Sequence, residues 1–377
     1  MYRILVINPG STSTKVSIFE DRKEIAAESV FHDAPELLQY ENVNDQVPMR
    51  VQVCLDFLKK NGVKPEDIDI FIGRGGGAYP QKPGVTVIDE CLVEDTYHTV
   101  GGSDHAAKLG VLCAWALGSK YGKPMYTLDP TNIDQLIDEA RITGIKGIYR
   151  RSQLHALNHR AVAMTHAANM GKKYSECRFV VAHIDGGVTV AAHEYGKIID
   201  TTEGAGGDGP FAPTRLGSVP VLGIVRFLEE GHTLEELKKM CSRAGGFVDH
   251  FGTSDADKVF ALVKAGDPHA ITVWNAMKYQ VVKSIGEMAA VLCGNVDAIL
   301  LTGGLVRYQD IIDYVKEHCG FIAPIVVYPG EMEQEALCHA VLRALNGEGE
   351  INTYPGRPVW EGFDWDGHEE EEGWKKK

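Results

Sequence analysis

Leu5-Val6-Ile7-Asn8-Pro9-Gly10-Ser11-Thr12-Ser13-Thr14-Lys15 decides how the chain folds. The apolar, partly β-branched run from Ile4 to Ile7 reads as a buried strand, and Asn8-Pro9-Gly10 stops it with three residues that favour a turn. Four hydroxyl side chains follow. Val16, Ile18 and Phe19 restart an apolar run, so the segment predicts a strand, a polar turn and a returning strand. Backbone N–H groups, the Ser11 and Ser13 hydroxyls and the Lys15 ammonium then share one small volume. That set suits phosphate oxygens and a hydrated Mg2+. G-x-x-x-x-G-K-[ST] is absent and no helix follows, so the turn is not a P-loop. Taken alone, the stretch reads equally as an ordinary Ser/Thr-rich hairpin.

The same pattern returns in the second half. Arg178 to Ile184 is an apolar strand, Asp185-Gly186-Gly187-Val188-Thr189 a tight polar turn, and Val190 to Ala192 the start of a returning strand. Asp21-Arg22-Lys23 leads to a third strand, Glu24 to Val30, and Tyr195-Gly196-Lys197 leads to Ile198–Thr201. Self-similarity over half a chain implies two related domains facing one another, each with a phosphate-type turn.

Other strand-to-glycine junctions add chemistry. Ile68 to Ile72 runs into Gly73-Arg74-Gly75-Gly76-Gly77, where local packing does not call for an arginine. Glycines let a ligand approach the backbone, and the arginine offers a fork for anionic oxygens. Gly204 to Arg215 is a second glycine-rich loop with an isolated arginine, and Ala298–Leu301 ends in Thr302-Gly303-Gly304. Met125 to Leu128 ends at Asp129, at the strand end where α/β proteins bind ligands, although Asp129 also suits a capping or turn role. His105 sits in the first turn of a helix opened by Gly101-Gly102-Ser103-Asp104. A helix over 151–170 places His155 and His159 four residues apart on one face. The spacing lacks the Glu of H-E-x-x-H, which makes a metal pair the weaker reading. Thr233 with Glu236, and Ser254 with Asp257 more weakly, read as capping boxes. The helix Glu331 to Leu345 opens with three acids. The tail after Tyr354 mixes tryptophans with acid and base runs, which suggests solvated charges and partial docking of Trp360, Trp365 and Trp374.

With 377 residues, two domains are expected. A formal charge of −14 argues against nucleic acid and anionic membranes as partners. No apolar run reaches membrane-span length and no signal peptide begins the chain. The eight cysteines are scattered without a C-x-x-C pair, which points to a reduced, cytoplasmic protein and away from disulfides or zinc.

Assembled, Leu5–Lys15, Arg74-Gly75-Gly76, His155-Ala156-Leu157-Asn158, His183–Thr189, Gly209-Pro210-Phe211, Leu301–Gly304 and Val326–Glu331 resemble the acetate and butyrate kinases, the butyrate kinases more closely. The resemblance covers nearly the whole chain. It implies an α/β fold of two duplicated ribonuclease-H-like domains of the actin-like ATPase type, with an interdomain cleft for ATP. The domains would span 1–150 and 151–330, with the last helix and tail, about 331–377, returning to the first. It implies Asn8, Ser11 and Ser13 at the γ-phosphate, Lys15 among the residues that bind the ATP phosphates, and His183, Gly186 and Gly187 at the β-phosphate. Gly303 and Gly304 would border the adenosine. Arg74, His155, Arg215 and Asp129 would be catalytic, and Glu331 with Asp129 would hold Mg2+. Gly76, His105, Leu154 and Pro213 would line the acid pocket.

The implied reaction is reversible phosphorylation of a short-chain carboxylate by ATP, in a homodimer or larger homo-oligomer. A branched-acid or acetate/propionate kinase is the second reading, and a catalytically silent ATP-binding regulator the third. Asp185 stands where the family usually has glycine, Lys108 where Asn is frequent, Thr214 where Glu is, and Leu216 where Ser is.

Overall fold

The computed structural model describes residues 1–10, 13–32, 37, 39–101 and 105–366. Its strands are β1 (Arg3–Pro9), β2 (Ser13–Glu20), β3 (Lys23–Phe31), β4 (Ile70–Arg74), β5 (Val85–Val87) and β6 (Met125–Leu128), then β7 (Arg178–Ile184), β8 (Val188–Glu194), β9 (Lys197–Thr201), β10 (Ala298–Gly303), β11 (Ile325–Pro329) and β12 (Ile351–Asn352). They form two sheets, ordered β12-β5-β6-β4-β1-β2-β3 and β11-β10-β7-β8-β9.

The duplication read from the sequence is topological. In each sheet the first three strands form an antiparallel meander, and two further strands join parallel to the first. β1, β2, β3, β4 and β6 thus correspond to β7, β8, β9, β10 and β11. Even the irregularity between the second and third strands recurs, at Ile18/Phe19 and at Ala192/His193.

Helices on both faces explain why β1 and β7 read as unbroken apolar runs. Leu5 and Ile7 pack with Cys54, Leu58 and Leu117 of helices Val47–Lys60 and Leu109–Tyr121. Ile4 and Val6 point the other way, onto Leu337 and Val341 of the helix Glu333–Leu345. In β7, Val180, Ala182 and Ile184 meet Trp274, Met277 and Val281 of Pro268–Val291, while Phe179 and Val181 meet Val162 and Ala163 of Ala156–Asn169. The helices Glu333–Leu345 and Ala156–Asn169 touch each other, so the layer between the sheets is this helix pair.

Several expectations shift. The helix expected over 151–170 begins only at Ala156. Residues before it are drawn into extended contacts, with Leu154 N–H donating to Thr131 O at 2.9 Å and the Ser152 hydroxyl to Ile133 O. The cap before the helix Ala256–Lys264 is Asp255, not Ser254. Thr233 and Glu236 do form a capping box. In the tail, Trp360 docks under the Arg141 guanidinium and beside Tyr149. Trp365 stacks on Phe363 but is exposed. Trp374, the charge runs 369–372 and 375–377, Gly102, Ser103 and Asp104 lie outside the described residues.

Candidate active site

The C-terminal ends of β1, β4, β7 and β10 and the starts of the two central helices converge on one cleft, and each brings side chains. Asn8 ends β1 and donates to Glu333 Oε2 at 2.7 Å. Arg74 ends β4 and donates to the same oxygen at 3.0 Å. Lys15 on β2 pairs with Glu331 at 2.7 Å. Burial alone would raise Glu331, but His183, Lys15 and Arg74 pull it down to about 2. Burial and then the neighbouring Glu331 push Glu333 up, against the pull of Arg74.

Arg215 enters from the glycine-rich loop. Its Nη1 donates to Gly204 O at 2.8 Å, its Nε has no partner, and no carboxylate among the described residues pairs with it. Burial, and then the nearby Arg74 charge, lower it to about 10. A Cβ at Gly187 would run into the guanidinium, so glycine there lets the arginine lie across the second turn. Two partly buried guanidiniums, of which Arg74 alone has a bonded carboxylate among the described residues, constitute a site short of negative charge.

His155 stacks on His183 with centroids 3.9 Å apart. Behind it runs a buried polar chain. Thr189 Oγ1 is 2.9 Å from both His155 Nδ1 and His159 Nε2, His159 Nδ1 is 3.4 Å from His193 Nε2, and His193 Nδ1 is 2.8 Å from Tyr174 OH. The Arg160 guanidinium lies over the Tyr174 ring, 5.6 Å from its centroid, and the Tyr174 hydroxyl can donate to His193 Nδ1. With Tyr174 donating to His193, the remaining links run one way, through His159 and the Thr189 hydroxyl, and leave Nε2–H of His155 as a donor. His183 Nδ1 is held by Asn158, which also donates to Thr302 Oγ1 at 3.0 Å and accepts from Met332 N–H at 3.0 Å.

Burial lowers the pKa of His155, His159 and His193, the last to about 3. Their unfolded values lie near 6.5, so below that pH the unfolded chain binds protons the folded one refuses. The stability they support is whole above about pH 6.5 and is lost as pH falls, at about 1.4 kcal/mol per pH unit for each histidine. Urea midpoints should therefore drop between pH 7.5 and 5.5, and His193→Gln should flatten that slope.

Similarity to known proteins fits this geometry. A model of the acetokinase family matches residues 141–318. A probable butyrate kinase 2 from Caldanaerobacter subterraneus subsp. tengcongensis is 43% identical over 355 residues, 94% of this chain and 100% of the relative. The chain belongs to the acetokinase family. Acetate kinase from Porphyromonas gingivalis superposes with a TM-score of 0.74 at 18% identity, over 90% of this chain and 99% of that one. A propionate kinase from Francisella tularensis subsp. tularensis SCHU S4 gives 0.70 at 16% identity, with the same coverage. The fold is that of this family, α/β with two sheets.

The remaining expected residues fall into two groups. Gly186, Gly187, Gly303 and Gly304 border the cleft, where Gly303 and Gly330 exchange backbone hydrogen bonds of 3.0 and 3.1 Å. Ser13 opens β2 and its carbonyl accepts from Arg50; Ser11 lies outside the described residues.

Asp129 stands apart from the acid and base cluster. Its oxygens accept from Gly84 N–H at 2.7 Å and Arg160 Nε at 2.9 Å, so it anchors the far end of the histidine chain. His105 caps a turn through Ala107 N–H, and Pro213 O accepts from Val248 N–H. Leu154 is packed in a core cluster with Ile133, Ala156, Ala191 and Ile198. His155 and His159 share Thr189 rather than forming a metal pair. Among the described residues the donor group able to hold a cation is His183, Asp185 and Glu331, with one ligand atom from each within 4.8 Å of the others.

Asn158 and Thr189 stand inside the sequence motifs and Glu333 among the three acids of the last helix, but their partners, and the part played by Arg50, come only from the fold. Arg50 is fully buried and donates to Ser13 O, Thr14 Oγ1, Gly10 O and Gln46 Oε1, clamping the first turn from behind. Gly73 also differs from expectation. It admits the backbone of Gly110 on the helix Leu109–Tyr121 rather than a ligand.

Proposed function

We propose that this chain transfers the γ-phosphoryl group of ATP reversibly to a short-chain carboxylate, butyrate or a close homologue, giving an acyl phosphate and ADP. The observation that carries the reading is the partly buried Arg74–Arg215 pair, in which Arg74 is bonded to Glu333 and Arg215 to no carboxylate among the described residues. A silent nucleotide-binding protein has no need of that arrangement. The family membership and the name of the 43% identical relative support the same reading.

A carboxylate is already ionised at neutral pH, so its phosphorylation needs no general base. What it needs is suppressed repulsion between two anions, and stabilisation of charge spread over the equatorial oxygens. Arg215, with an unpartnered Nε, would bind the carboxylate and the migrating group, with Arg74 held beside it by Glu333. The neutral His155 imidazole would donate from Nε2 to an equatorial oxygen. The N–H groups of the two turns would orient the polyphosphate.

The carboxylates of Glu331 and Asp185 suit a hard cation such as Mg2+. Mg2+ would neutralise polyphosphate charge when bound. We further propose domains 1–150, joined by about 331–377, and 151–330. A homo-oligomer in a reducing cytoplasm fits the eight free cysteines and the acidic charge.

Acid size tests the substrate assignment. A Cβ at Gly76 would meet Thr131 Oγ1 at 3.5 Å, Lys108 N at 3.8 Å and Ala107 Cβ at 3.9 Å, all ordinary contacts. Its φ is not left-handed. Glycine there is thus a matter of space beside Arg74, and each buried methylene is worth about 0.8 kcal/mol. The wild type should favour acids of about three to five carbons over acetate by ~10-fold or more in kcat/KM. Gly76→Val should depress butyrate turnover and spare acetate. Equal loss on both acids would make Gly76 structural, and wild-type preference for acetate would overturn the butyrate assignment.

A further inference from the structure

The second phosphate-type turn carries an acid of its own. Asp185 follows β7, and its Oδ1 accepts from Gly186 N–H at 2.7 Å while Oδ2 accepts from Gly304 N–H at 2.5 Å. Both donors belong to the glycine junctions that border the cleft on the side of the second sheet. A Cβ at Gly304 would lie 2.7 Å from Asp185 Oδ2, so glycine there gives the carboxylate its seat. The turn does not depend on that side chain. Asp185 N–H donates to Gly187 O at 3.0 Å, the β7–β8 ladder continues to Ile184↔Val188, and Asp185 is not left-handed. A negative group therefore occupies two backbone donors of the kind that bind phosphate oxygens.

We propose that Asp185 is an internal anion that competes with nucleotide phosphate for this cradle and sets the protein's nucleotide affinity. An incoming polyphosphate must displace the carboxylate from Gly186 and Gly304 or sit beside a like charge. Either way the bound state is weakened relative to a chain without the acid. This rests on the nucleotide-binding reading above. The carboxylate has a ligand atom within 4.8 Å of those of Glu331 and His183, where a cation would offset its charge. The handicap should therefore be greatest without metal.

The test is calorimetric titration of ADP in EDTA into the full-length wild type, Asp185→Ala and Asp185→Asn. Asp185→Ala should bind ADP more tightly by a factor of about ten or more. Asp185→Asn, which keeps an acceptor and loses the charge, should fall between. A purely structural role would lower the unfolding temperature without tightening ADP, and a role only as metal ligand would leave metal-free affinity unchanged. Either outcome overturns the proposal while leaving the kinase reading intact. Absence of ADP binding in all three proteins, with and without Mg2+, overturns both. Should Asp185→Ala fail to fold, the Asn variant carries the same comparison.

Discussion

Arg215→Ala should lower kcat by a factor of ~10² to 10³ while leaving ATP affinity within a few-fold of wild type. The reason lies in what the side chain touches. Among the described residues its fixed contact is one backbone carbonyl, that of Gly204, and no acid pairs with it. Its charge is free for the state in which carboxylate and phosphoryl group are close, and an interaction made only there appears in kcat. Arg215→Lys should rescue poorly. An ammonium lacks the planar fork, and a shorter reach across Gly187 would misplace it. Steady-state kinetics on both variants, with ATP affinity measured separately, check this; an Arg215→Ala enzyme within a few-fold of wild type would remove the residue from the site.

Glu333→Ala should destabilise the fold by about 3–5 kcal/mol, the usual cost of leaving a buried charge without its partner. Glu333 is 1% exposed, and one of its oxygens serves both Asn8 and Arg74. Removing it strands the Arg74 guanidinium against Arg215 and releases the end of β1. Denaturant unfolding of Glu333→Ala, Arg74→Ala and the double variant gives a coupling energy. The double variant should be less destabilised than the sum of the singles. Strict additivity would show that the two side chains act independently.

The fold was legible where chemistry is local. The turns at Asn8–Lys15 and Asp185–Thr189 announce themselves because strand, glycine and hydroxyl residues are adjacent in sequence. Helices on both faces made β1 and β7 uniformly apolar, so the strands were clear. β5 and β12 were missed because they have three and two residues and exist only by pairing with distant segments. Arg50 was invisible as a clamp because its acceptors, Ser13 O and Gly10 O, lie 37 and 40 residues away. Glu333 was one of three acids opening a helix, a pattern that favourable interaction with the helix N-terminus already explains. Asp129 at a strand end reads as a ligand until its partner Arg160, 31 residues on, comes into view. Burial and partner choice are properties of the folded chain, and these errors are all of that kind.

The measurement that bears most directly on the central claim is product trapping. Purified protein incubated with ATP, Mg2+, butyrate and hydroxylamine should accumulate butyryl hydroxamate in step with ADP, because hydroxylamine captures an acyl phosphate as it forms. Arg215→Ala should slow hydroxamate accumulation by the same factor of ~10² to 10³. ATP binding without butyrate-dependent hydroxamate, or ADP release that is indifferent to any short-chain acid, would contradict the assignment of a carboxylate kinase.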